Sequence, residues 1–245
     1  MFRGSMIFLA GIFFLMPNVF AQSGNSYGVF KSLKEDSITI FGTTVRARNV
    51  IFVIDKAESM ALASYKSGYS RWELLKSEFS RAIDGMKNDQ KFNAVLFDTA
   101  YSYLLGEGSV LYPKVEKKAN SDIPWGEKGK KLLSAHTPGG DSNLCLGIEK
   151  AFSAQASADA IIIITDGETN TGMTATYRDF SGQLGYTLKY VDEQATKQII
   201  AIWVGGSLSS TYSNFMKMIA NVPNADGSLP NPGRPAGMFV VPGQQ

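Results

Sequence analysis

Four stretches of the chain, NVIFVID (49–55), FNAVLFD (92–98), AIIIITD (160–166) and QIIAIWVG (198–205), are short, continuous and rich in Val and Ile. A strand with one wet face alternates apolar with polar residues, so runs that are apolar on both sides need cover on both faces. The segments between them have helical spacing. SRWELLKSEFSRAIDGM opens with Ser70 and Glu73 in capping-box register and sets Trp72, Leu75, Phe79, Ile83 and Met86 along one stripe. A second helix is expected from Ser142 or Asn143, with Leu144, Ile148, Ala151 and Phe152 facing inward. A third is expected around Thr187 to Lys197, and a fourth from about Ser210 to Ala220 through Tyr212, Phe215 and Ile219. This alternation reads as an α/β fold: a doubly wound, mostly parallel central sheet with helices on both faces.

FNAVLFDTAYSYLL places two β-rich runs close together, which suits a hairpin adding one antiparallel edge strand. The charged, proline-broken stretch 112–133 reads as a solvated helix and loop. NVPNADGSLPNPGRPAG is a long loop leading to a last strand, MFVVP, and SITIF is a strand ahead of the main series.

The first 21 residues have one charge, Arg3, an apolar block from Met6 to Met16 closed by Pro17, and Ala21 two places after Val19. That is the grammar of a secretory signal cut after Ala21, and the block is shorter than the roughly 20 apolar residues of a membrane span. The expected organisation is therefore a signal at 1–21, a lead-in at 22–46 and one domain at 47–245, exported to a periplasm, a cell surface or the medium. Formal net charge is +2, or +1 once Arg3 is removed, which argues against nucleic acid or a polybasic membrane contact. The single cysteine, Cys145, excludes an internal disulfide and reads as a buried thiol, so stability must come from packing.

In an open parallel sheet, ligands bind beyond the carboxyl ends of the strands. Asp55, Asp98 and Asp166 each fall at such an end. The order VIFVIDKAESM, TPGGDSNLCLGIEKAF, IIIITDGETN resembles the von Willebrand factor type A domain, over about residues 47–241. The family's metal-ion-dependent adhesion site is built from an Asp-x-Ser-x-Ser loop, a distant Thr and a distant Asp. By that resemblance Asp55 and Ser59 are the first and last residues of the loop, Ser142 fills the threonine position, and Asp166 is the distant aspartate. The sequence departs at Ala57, where the family has serine, and at Glu58, where glycine is usual.

The resemblance implies a bound Mg²⁺, or Mn²⁺ or Ca²⁺ in its place, whose shell is completed by an acidic side chain of a protein partner. Mg²⁺ is a hard ion that wants six oxygens at about 2.0 to 2.1 Å, and alanine contributes none. The implied function is non-enzymatic adhesion or protein binding with the cation as a bridge. The alternative is a structural domain with a decayed metal site, acting as a scaffold in an envelope assembly, with Asp55 and Asp166 satisfying loop N–H groups.

Other chemistry fares worse. GGDSN invites a serine-hydrolase reading of Ser142, but the only histidine is His136, and there is no G-x-S-x-G elbow. No phosphate-binding glycine motif follows a strand.

Overall fold

The computed structural model describes residues 36–64, 68–106, 111–117, 121–153, 155–167, 180–205 and 210–242. The expected signal, the lead-in up to residue 35 and residues 168–170 of the IIIITDGETN stretch lie outside the described residues.

The chain enters through a hairpin, β1 (Ser37–Ile40) and β2 (Thr43–Arg46), which forms its own two-stranded sheet. Then follow β3 (Asn49–Asp55), α1 (Arg71–Gly85), β4 (Lys91–Phe97), β5 (Tyr101–Tyr103), β6 (Tyr112–Pro113), α2 (Trp125–Ala135) and α3 (Leu144–Phe152). The second half contains β7 (Ala160–Thr165), α4 (Phe180–Gln194), β8 (Gln198–Trp203), α5 (Ser210–Ala220) and β9 (Met238–Val240). The main sheet runs β5–β4–β3–β7–β8–β9. All neighbours from β4 to β9 are parallel, while β5 pairs antiparallel with β4. The expected antiparallel edge is thus present, and the short β6 adds a second antiparallel pairing along β4.

Alternation along β3 shows why its sequence carries no polar face. Val50, Phe52 and Ile54 join one buried cluster with Trp72, Leu75, Phe79 and Ile83 of α1 and Trp125 and Leu133 of α2. Ile51 and Val53 join the other, with Leu144 and Ile148 of α3, Leu184 and Val191 of α4 and Phe215 and Ile219 of α5. Each face is covered, as a parallel sheet requires.

Helix α1 starts as its sequence dictates. Ser70 accepts from the Glu73 N–H while the Glu73 carboxylate accepts from the Ser70 N–H, completing a capping box. The hairpin packs into the core: Ile38, Ile40 and Val45 are buried in the α1 cluster, and the Phe41 N–H donates to Glu78 Oε2 at 2.9 Å. Two differences from expectation concern helices. α4 begins at Phe180, ahead of Thr187, because Gly182 and Gly185 dilute the helical signal of its first turns. α2 is less solvated than its composition suggests, since Trp125 and Leu133 face the core and the Trp125 ring lies 4.2 Å from that of Tyr112.

Candidate metal centre at the carboxyl ends of the strands

From β3 the chain passes through α1 to β4 on one side, and later returns to β7 on the other. The strand order therefore reverses at the β3/β7 boundary, the place where open α/β sheets form a crevice. Asp55 ends β3 and Asp166 follows the last residue of β7, and the register pairs Ile54 with Ile164. Both aspartates are fully buried.

Asp55 Oδ1 accepts from the Ala57 N–H at 2.9 Å, and Oδ2 accepts from Ser142 Oγ at 3.1 Å and from Thr165 Oγ1 at 2.7 Å. Ser142 is itself buried, so this hydroxyl–carboxylate contact ties the loop before α3 to the end of β3. Burial pushes the Asp55 carboxyl up to about 7; the nearby charge of Asp166 pushes the same way, and the three hydrogen bonds pull against both.

The rim loops are laced to one another through the backbone. The Gly139 N–H donates to Lys56 O at 2.8 Å, Glu58 N–H to Gly140 O at 2.9 Å, and Asn143 N–H to Asp98 O at 3.0 Å. Gly140 has φ +76, and a Cβ there would stand 3.0 Å from Thr99 Oγ1, which accounts for the glycine in GGD. Ser59 lies in a 3-10 turn, Glu58–Ala61, and its backbone carbonyl accepts from Arg71 Nη1 at 3.3 Å. Its hydroxyl is buried and has no hydrogen-bond partner among the described residues.

Two cations stand among these carboxylates. Arg71 Nη1 donates to Asp166 Oδ2 at 2.5 Å, and both side chains are withdrawn from water. Lys56 pairs with Asp98, the third strand-end aspartate, and Asp98 Oδ1 also accepts from the Ala100 N–H. Asp98 is thus neutralised beside the crevice, and Glu58 and Asp141 are exposed on the loops around it.

All four residues expected from the sequence sit at this rim: Asp55 and Ser142 in direct contact, Asp166 within electrostatic reach of Asp55, and Ser59 joined to Asp166 through Arg71. Two carboxylates and two hydroxyls form an all-oxygen donor set of the kind a hard divalent ion takes. The orphaned Ser59 Oγ is a donor atom awaiting a partner, and on that observation the residues fit a cation. Ala57, which is buried, stands at the position where the resemblance expects a serine. Among the described residues no group of three or more His, Cys, Asp or Glu side chains gathers, so a cation held here would take half of these donors from hydroxyls.

No family model matches the sequence, and neither does any curated protein. Solved structures do match. A von Willebrand factor type A protein from Catenulispora acidiphila superposes with a TM-score of 0.51 at 15% identity, covering 79% of this chain and 38% of that one. This is the von Willebrand factor type A fold. The PilB minor pilin from Streptococcus sanguinis matches with a TM-score of 0.50 at 13% identity, over 79% of this chain and 56% of its own. This chain therefore spans well under two thirds of the length of either structure, and the likeness is one of fold.

Within the type A fold, sequence reasoning missed Thr165 and Arg71. Thr165 was hidden as the last residue of an apolar strand, although its hydroxyl both donates to Asp55 and accepts from the Gly167 N–H at 2.8 Å. Arg71 did leave a signal. It is the first residue of a helix, where the macrodipole disfavours positive charge, so a buried arginine there calls for an acidic partner from elsewhere in the fold.

Proposed function

We propose that the protein is an exported, non-catalytic recognition module that binds a protein partner through the loop rim at the carboxyl ends of β3, β4 and β7, with a divalent cation as bridge. Asp55, Ser59, Ser142 and Asp166 would hold the ion. Bound there, it would offer its open coordination positions to a carboxylate of the partner. The observation that carries this reading is the buried, unpartnered Ser59 hydroxyl beside a crevice that already gathers Asp55, Ser142 and Asp166.

The contact surface has further means of binding. Leu62, more than half exposed, directly follows the turn that contains Ser59 and offers an apolar contact beside a polar centre. The leader-like first 21 residues support export. Among the described residues no helix is long and apolar enough to cross a membrane. Ser142 donates to a buried carboxylate, and the lone His136 lies near Lys56 and Asp98, an arrangement that does not make Ser142 a nucleophile.

Calorimetric titration of Mn²⁺ into the purified protein tests the reading. The expected result is saturable heat with the native protein and none with Asp55→Ala. Water-proton relaxation by the bound Mn²⁺ should then fall as a glutamate-containing peptide takes the open positions. Absence of heat in the native protein would remove the bridge.

A second reading is favoured by the Ala57 methyl: a scaffold domain whose rim is held without a cation. It requires that Asp166→Ala lower stability equally with and without chelator.

A further inference from the structure

We infer that Arg71 is a resident counter-cation of the rim site, sharing Asp166 with the divalent ion and setting how tightly that ion is held. The inference rests on the reading of Asp55, Ser59, Ser142 and Asp166 as the cation's donors, and it adds a residue that the resemblance does not supply.

Position comes first. A single nitrogen, Arg71 Nη1, contacts Asp166 Oδ2 at 2.5 Å and Ser59 O at 3.3 Å, so the guanidinium bridges two of the four donor residues. It does so from inside the protein, with the Arg71 side chain only 9% exposed. Charge comes second. When both are ionised, as a bound cation requires, Asp55 and Asp166 offer two negative charges, and Arg71 offsets one of them. A dication entering beside an unmoved guanidinium meets a fixed like charge at short range, where water screens it poorly.

The contact is also one-pronged. An arginine locked to a carboxylate for stability uses two parallel N–H donors in a fork. Here both contacts come from Nη1, while Nε is buried with no hydrogen-bond partner among the described residues. The guanidinium is held at one point and has a donor unmet. Its place at the first position of α1 adds the helix dipole to the positive potential, which also works against a second cation.

Two consequences follow. Without metal, Arg71 keeps the buried Asp55–Asp166 pair from standing as two uncompensated carboxylates. With metal, Arg71 weakens the site, so the native protein responds to the cation as a loose, exchangeable ligand.

The test compares Mn²⁺ affinity, read from free Mn²⁺ by electron paramagnetic resonance, and thermal unfolding with and without Mn²⁺. The proteins are the native chain, Arg71→Gln, which removes the charge but keeps a hydrogen-bond donor, and Arg71→Lys, which keeps the charge. Arg71→Gln should bind Mn²⁺ at least about tenfold more tightly than the native protein, and Arg71→Lys within about threefold of it. Arg71→Gln should also unfold at lower temperature without metal and regain the loss with Mn²⁺.

Should Arg71→Gln fold only when Mn²⁺ is present, the inference holds; failure to fold under either condition overturns it. Equal affinity in the native protein and Arg71→Gln overturns it while leaving the cation-bridged recognition intact. Binding by Arg71→Gln alone upholds it and removes the bridge from the native protein. A tenfold gain in Arg71→Lys, or no binding by any of the three, sinks it.

Discussion

Arg71, the first residue of α1, donates to Asp166, one residue beyond the end of β7, across a buried gap of 2.5 Å and 95 positions of sequence. The pair fastens the helix on one face of the sheet to the loop at its switch point. A buried ion pair adds little net stability over an apolar one, but removing one partner strands the other charge.

Asp166→Ala is therefore expected to lower stability by about 3 to 5 kcal/mol, measured by urea unfolding of the metal-free protein. Most of that cost is the unpaired guanidinium. A loss near zero would mean that Arg71 is not held by Asp166 in solution.

Asp55 makes stability depend on pH in the direction opposite to an ordinary aspartate. Its folded value, about 7, lies above the unfolded 3.8, so between these limits the native protein binds the proton more tightly than the unfolded chain does. The contribution is complete below the lower value and is lost as pH rises through the upper one. With chelator present, unfolding free energy should fall from about pH 5 to about pH 8 in the native protein, and fall less in Asp55→Asn. Identical profiles would show that Asp55 titrates like an exposed carboxylate.

Gly167 tests the turn after β7. Its φ is +76, and a Cβ there would stand 2.3 Å from the Trp203 ring. Gly167→Ala combines left-handed strain with overpacking and should cost about 2 to 4 kcal/mol in the unfolding free energy. A change under about 0.5 kcal/mol would show that the ring can move aside, as surface substitutions do.

Much of this was legible in the sequence. The four Val/Ile runs located β3, β4, β7 and β8 because strands covered on both faces carry no polar alternation to confuse them with anything else. Ser70 and Glu73 marked the start of α1 through local chemistry alone. The site was half legible: Asp55, Ser59, Ser142 and Asp166 sit in recognisable short motifs, and the fold brings them to one rim. Thr165 was not found because its role depends on a partner 110 residues away, which no local pattern encodes; Arg71 left a local signal at the start of α1, but its partner lies 95 residues away. The strand at SITIF was legible, but the place of the hairpin β1–β2 in the core follows from α1 and not from its own four-residue strands.

Cys145 should behave as an inert thiol. It lies buried in α3, and burial, the largest influence, pushes its thiol up to about 11. A thiol-specific disulfide reagent should react at once in denaturant and only slowly in the folded protein near neutral pH. Equal rates would place Cys145 at the surface.

The most direct test of the cation site is anomalous scattering from crystals of the protein grown with Mn²⁺. A single peak at coordination distance from Ser59 Oγ and Ser142 Oγ, beside Asp55, is the predicted result. An ordered rim with no peak there, the Ser59 hydroxyl satisfied by the protein or by water, would contradict it.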